Sequence, residues 1–234
     1  MATHGKNATL YMGSMVLTDY FRNVATPASV DVAEASTFGD DDKTYVPGLG
    51  DATMSGEGIY DTSGVGAERD LAAALGATSR QIISVYHGGD TLGNAGVGMS
   101  ADATALEVTA EISDIVMISA EAQSSTGYER LLSVHANAEE TAAGTTASVN
   151  AGADSTNGGA GYLHVSAISG SMAFVIEHSD DDISYSTLVN FGTVIAPIGT
   201  RVAFTGTAEQ YARLVHTPAT TGTATFVCGL ARQD

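Results

Sequence analysis

Apolar residues alternate with polar ones at a period of two along most of the chain, and fall at helical spacing in one convincing place. NATLYMGSMVL (7–17) reads as a strand, and LTDYFRNV (17–24) follows with Thr18 or Asp19 placed to cap a single helical turn. ASVDVAEAS (28–36) is a second strand. DATMSGEGIYD (51–61) is a third, with Met54, Gly56, Gly58 and Tyr60 on one face. GAERDLAAALGA (66–77) is the helix. Ala67, Leu71, Ala74 and Leu75 share a stripe, Glu68 and Asp70 sit in the first turn, and Gly76 stops it. RQIISVYH (80–87) returns to strand, and HGGDTLGNAGVGMSAD (87–102) reads as an exposed glycine-rich loop. In ATALEVTAEIS (103–113), Leu106, Val108, Ala110 and Ile112 alternate with Glu107, Thr109 and Glu111, the pattern of a half-buried strand with one wet, acidic face. DIVMISAEAQS (114–124) pairs with it across a turn at Ser113–Asp114.

Beyond QSSTG (123–127) no convincing helix appears. YERLLSVHA (128–136) opens a second set of strands, and YLHVSAI and MAFVIEH flank Ser169–Gly170–Ser171 as a hairpin. YSTLVNF, RVAFTG, YARLVHT and TATFVCGLAR are each short, alternating and bounded by turn residues. The fold class is therefore mainly β. A two-layer antiparallel β domain with one packed helix spans 1–126, and a β-sandwich or jelly roll spans 127–234.

One stretch breaks the pattern. TFGDDDKTYVPGLG (37–50) places Phe38, Tyr45, Val46, Pro47 and Leu49 in a segment too acidic and too rich in Gly and Pro to be core. Apolar side chains on such an excursion need a surface to pack on. When their own domain does not supply it, another chain must.

Charge narrows the partners. The formal net charge is -18, with Lys6 and Lys43 the only lysines. Affinity for nucleic-acid phosphates comes from releasing counterions with Lys and Arg, so stable DNA or RNA binding is excluded. Acidity of this kind serves solubility, adaptation to high salt, or a surface past which nucleic acid slides without sticking, and composition does not choose among them. No run approaches the roughly 18 apolar residues of a membrane span, and the opening MATHGKNATLYMG lacks the apolar core expected of a secretory signal. A single cysteine, Cys228, excludes an intramolecular disulfide and reads as a small buried apolar residue.

No constellation carries catalysis. DDDK (40–43) and SDDDIS (179–184) lack the alternate carboxylates, central Gly and distal Glu of an EF-hand and read as solvated acidic turns, with a weak Ca²⁺ or Na⁺ site at Asp180–Asp182 as the alternative. The six histidines form no HxxxH or HExxH pair, and His164 with His178 across their hairpin is the one pairing worth naming. There is no GxSxG elbow, and GGDTLGNAGVG is neither a dinucleotide fingerprint nor a P-loop. Catalytic, cofactor-binding and metal-ligating residues are accordingly read as none.

KNATLYMGSMVLTDYFRNV followed by DVAEASTFGDDDKTYVPGLGDATMSGEGIYD resembles the major tail tube proteins of long-tailed, siphovirus-like phages and related archaeal viruses. The likeness rests on a strand, the turn Thr18-Asp19-Tyr20-Phe21, the segment from Asp31 to Gly39, the run KTYVPGL, and a strand ending in Tyr60-Asp61. It covers residues 6–61 closely and later elements by order only. GYLHVSAISG, IEHSDDDISYSTLVNF and YARLVHT look like a jelly-roll or galectin-like module of virion proteins. The resemblance implies a non-enzymatic virion protein of the tail, a ring of commonly six copies whose inner strands join into one barrel, and stacking of rings into a conduit for the genome. It implies that the excursion (Phe38, Lys43, Tyr45, Val46, Pro47, Leu49) reaches onto neighbouring copies. It makes carboxylates on wet strand faces (Asp51, Glu57, Glu107, Glu111) candidates for a lumen that DNA passes without adhering. The partners implied are other copies, then tape measure and terminator proteins, with no membrane. A head-decoration or fibre protein whose sandwich binds host glycans is the alternative.

Overall fold

The computed structural model describes residues 4–38, 41–61, 67–218 and 222–233. The first strands are β1 (Thr9–Met12), β2 (Met15–Val16), β3 (Phe21–Ala25), β4 (Ala28–Glu34) and β5 (Tyr45–Ile59). Helix α1 (Ala67–Ala74) precedes β6 (Gln81–Tyr86), β7 (Ala95–Thr109) and β8 (Met117–Ser124). Then come β9 (Glu129–Glu140), β10 (Gly144–Thr145), β11 (Val149–Asn150), β12 (Gly159–Ser169) and β13 (Met172–Ser179). The chain closes with β14 (Ser186–Val194), β15 (Ile198–Phe204), β16 (Tyr211–Pro218) and β17 (Thr223–Arg232). The chain is mainly β, as its alternation requires.

The expected helix forms where its stripe lies. Ala67, Leu71 and Ala74 are buried, and Gly76 in the left-handed region (φ 70°) ends the element, while Gly66 lies outside the described residues. Eight residues are too few to hold a helix in water, so docking against β7 stabilises it.

Several expectations are corrected. Residues 7–17 are not one strand: Gly13 (φ 59°) turns the chain, and β2 folds back on β1 with Tyr11 opposite Val16. The loop 87–102 is strand from Ala95 onward, and Gly96–Ser100 are buried. Glycine is required there by contact: a Cβ on Gly96 would lie 2.5 Å from the Tyr86 ring, and one on Gly98 2.8 Å from that of Tyr162. The acidic strand ends at Thr109, and residues 110–116 connect it to β8, a longer link than a Ser113–Asp114 turn. Finally, Ser169–Gly170–Ser171 is no hairpin. β12 pairs with β15 and β17, β13 pairs with β14 and β16, and the link crosses between two opposed sheets.

One sheet runs through both halves of the chain, in the order β15-β12-β17-β9-β7-β6-β1-β2. A side branch leads from β7 through β8 to β5, which carries β3 and β4. A second sheet, β10-β16-β13-β14 with β11 also on β16, covers the β15-β12-β17-β9 portion and makes a sandwich. Two of the hydrophobic clusters fall on opposite sides of residue 127 although the sheet spans both halves. One cluster (Leu10, Met54, Leu71, Ile83, Met99, Ile118) lies wholly before residue 127, and the sandwich cluster (Leu163, Phe174, Ile176, Leu214, Phe226, Cys228) wholly after it.

A third cluster, around Tyr11, Tyr86, Leu131 and Tyr162, joins the two halves. Its polar groups are paired, as burial demands. Glu129 accepts hydrogen bonds from Tyr162 Oη and from Arg201 Nε at 2.8 Å. His164 lies between Gly13 O and Ser84 Oγ, each at 2.8 Å. A carbonyl only accepts, so Nδ1 carries the proton and Nε2 accepts from the serine. Burial pushes the His164 pKa down to about 4, which keeps the ring neutral. Asp90 anchors the same seam, accepting from Tyr11 Oη at 2.6 Å and from Asn137 N at 2.8 Å.

Candidate functional site

The excursion is an arm, not a loop. Tyr45–Gly50 are strand residues of β5 that pair antiparallel with β4: Glu34 faces Tyr45, Ala33 faces Val46, and Val32 faces Pro47. A register shift between Val30 and Val32 bends the ribbon. At its outer end Lys43 Nζ bonds Glu34 Oε2 at 3.0 Å, and Thr44 N donates to Ser36 Oγ at 2.9 Å. Gly39 and Asp40 lie outside the described residues.

Every residue of β4, and of β5 as far as Asp51, is exposed; burial begins at Ala52, where β5 enters the main sheet. Neighbouring residues of a strand point to opposite faces, so exposure of both Tyr45 and Val46 leaves both faces of the ribbon bare. Val30, Val32, Phe38 and Leu49 are exposed as well, Leu49 at 83%. Pro47 removes a donor from a ribbon with no further strand beyond it among the described residues, where that loss is tolerated. A two-stranded ribbon is marginal in water on its own. Its apolar side chains each stand to gain on the order of 1.5–3 kcal/mol on full burial.

The acidic residues assemble where β5, β8 and β7 run side by side. Glu57 faces Ser119, which in turn faces Glu107; one step along, Ser55 faces Glu121, which faces Ala105. Two strand spacings put Glu57 and Glu107 about 10 Å apart, a distance at which physiological salt screens part of their repulsion. Asp51 lies on the same face of β5 and accepts a hydrogen bond from Gln123 Nε2. Glu111 sits beyond the end of β7 in the connection to β8, where it lines the same hollow as Glu57, Thr109 and Ser119. Asp51, Glu57 and Glu107 therefore share one strand face with Glu111 at its edge, and the sequence reading missed Glu121 at its centre. The polarity of DIVMISAEAQS held that signal: Ser119, Glu121 and Gln123 alternate with Ile118, Ala120 and Ala122, which are buried. Arg80 approaches only the margin, 3.6 Å from Asp102.

The remaining predicted constellations fare differently. His164 and His178 occupy opposed sheets; His164 sits in the seam, while His178 bonds Ser186 Oγ at 2.9 Å on the second sheet. Asp181 accepts from Ser179 Oγ, Ile183 N and Ser184 N, and these bonds lower its pKa and close a turn. Cys228 is fully buried, and burial raises its pKa.

No protein-family model matches this chain. No curated protein matches it either. Among solved structures it is similar to a chain of the virion of a native gene transfer agent particle, at 10% identity over 55% of this chain and 98% of that one, TM-score 0.47. It is also similar to SPP1 Dit, a protein of the hub adsorption apparatus in phages infecting Gram-positive hosts, at 11% identity over 94% and 98%, TM-score 0.41. A chain of an extracellular contractile injection system's sheath–tube complex matches at 14% identity over 55% and 90%, TM-score 0.45. Scores and identities this low assign this chain no activity.

Proposed function

We propose that this chain is a non-enzymatic structural subunit of a virus tail tube, located in the virion tail, whose copies close into rings that stack. The observation that carries the reading is the β4–β5 arm, a paired ribbon bare on both faces. The sequence likeness of residues 6–61 to tail tube proteins supplies the assembly in which such an arm is covered, in a ring of commonly six. A second apolar patch lies at the other end of β5: Ile59, Val108, Ile112 and Ile115 are exposed around the β7–β8 connection. Unlike patches at the two ends of one strand suit head-to-tail contacts, the kind that propagate into rings and stacks.

The acidic face of β5, β8 and β7 would line the conduit. Glu57, Glu107 and Glu121 repeated around a ring repel phosphates, so a genome slides through without adhering. Other tail proteins, including a tape measure and a terminator, would bind the ends of such a tube. Residues 127–234 would form an outer jelly-roll module. Its strand order supports this: β9, β12, β15 and β17 alternate in the chain with β10–β11, β13–β14 and β16 of the facing sheet, so successive connections cross between layers.

Negative-stain electron microscopy of the concentrated, purified chain tests the proposal. Stacked hollow rings are expected. Discrete monomers or trimers at every concentration and salt overturn it and favour a decoration or fibre protein that presents its sandwich to host glycans. Once tubes form, Glu57→Lys with Glu107→Lys makes them retain duplex DNA in a salt-sensitive filter assay, whereas unmodified tubes retain none. Equal retention by both removes the lumen assignment.

A further inference from the structure

We propose that His135, Glu140 and His216 form a divalent metal site of the zinc type that ties together the two sheets of the C-terminal sandwich. His135 and Glu140 lie on β9 in the first sheet, and His216 lies on β16 in the second. One donor atom from each residue falls within 4.8 Å of the other two. The chain separation of His216 from the others, and their origin in two sheets, hide the group from any spacing rule.

The donor set and its surroundings suit an ion. Two imidazoles and a carboxylate are a recurrent zinc set that leaves a fourth, tetrahedral position for water. Bonds of about 2.0–2.1 Å to a tetrahedral ion hold the donors about 3.4 Å apart, and His135 Nε2 already lies 3.4 Å from Glu140 Oε1. Both histidines are more than nine-tenths buried, and the Nδ1 atom of each has no hydrogen-bond partner among the described residues. A buried, unpaired ring nitrogen is costly when left as it is, and His216 Nδ1 is an available lone pair when a cation is present, whereas His135 meets Glu140 through Nε2 and its Nδ1 is not the ligating atom. His135 is held by stacking on Phe226 at 4.2 Å between ring centroids. Gly144 makes room, since a Cβ there would lie 2.6 Å from His216 Nε2. Glu140 is about one-third exposed and gives the ion its entry path.

The full chain, stripped with EDTA and dialysed, is titrated with ZnCl₂ against a chromophoric chelator. Cobalt(II) absorption in the visible reports a four-coordinate site. One equivalent of zinc is expected, with a rise in melting temperature of about 5–10 °C at free zinc 100 times the Kd. His216→Gln is expected to weaken zinc binding at least about 100-fold and Glu140→Gln at least about 10-fold, while His87→Gln leaves it unchanged. Glu140 is partly exposed, so its variant keeps the fold and guards against a trivial loss through unfolding, which circular dichroism checks. Absence of zinc uptake by the unmodified chain overturns the proposal. So does uptake by the Glu140 and His216 variants that equals that of the unmodified chain.

Discussion

The β4–β5 arm and the C-terminal sandwich are built from the same kind of short, alternating strand, yet they end in opposite states. In the sandwich, Phe174, Ile176, Leu214 and Phe226 are completely buried because a second sheet covers the first. In the arm, Val30, Tyr45, Val46 and Leu49 have the same apolar character and are exposed, with no second layer among the described residues. Composition therefore does not decide burial. What decides it is whether the chain itself brings a covering surface, and for the arm it does not. A region satisfied within one chain contributes to folding; a region left bare contributes only when another surface arrives.

The sharpest way to break this contrast is to delete residues 38–49. Rings and tubes are expected to vanish in electron microscopy while circular dichroism still reports a folded β protein. Unfolding of that variant would put the arm among the parts needed for its own fold. Phe226→Ala is the opposite experiment and is expected to cost the isolated chain about 3–5 kcal/mol by urea denaturation, with assembly failing only through instability. The seam between the halves contributes a pH dependence. The unfolded chain protonates His164 near pH 6.5, whereas the folded chain resists protonation until about pH 4. The stability from keeping the ring neutral is thus whole above pH 6.5. It falls by up to about 3 kcal/mol as the pH drops to 4. His164→Asn should flatten that segment of the stability–pH curve, and an unchanged slope would remove His164 as its origin. The smallest effect is that of Leu49→Ala on the monomer, within about 0.5 kcal/mol, although sedimentation should show weakened assembly.

Much of this contrast was legible in the sequence, for a physical reason. The helix showed because Ala67, Leu71 and Ala74 repeat at its period, and β13 and β16 showed because only one face of each is buried in the sandwich. β7 was hidden over Ala95–Ser100 because both its faces are covered there and its glycines yield space to Tyr86 and Tyr162, so no alternation survives. The arm's second strand was obscured by Pro47, Gly48 and Gly50, which an unpaired edge accepts but which lower every strand propensity. Of the acidic surface, Asp51, Glu57 and Glu107 were found from their own strands. Recognising Glu121 between them required the register of β8, which no single segment contains. The His135–Glu140–His216 group depends on the closure of the sandwich and could not be read from spacing at all.

The ladder that pairs Ala95–Gly98 with Leu132–Glu129 has a mechanical consequence. Because backbone hydrogen bonds, and not a flexible tether, connect the two cores, the C-terminal sandwich cannot swing as a bead on a string. A pull or twist applied to it passes straight into β7, and through β7 into the carboxylate-bearing strand beside β8. Any load applied to the sandwich is thereby delivered to the acidic face as shear along a continuous sheet, which makes the sandwich a lever on that face.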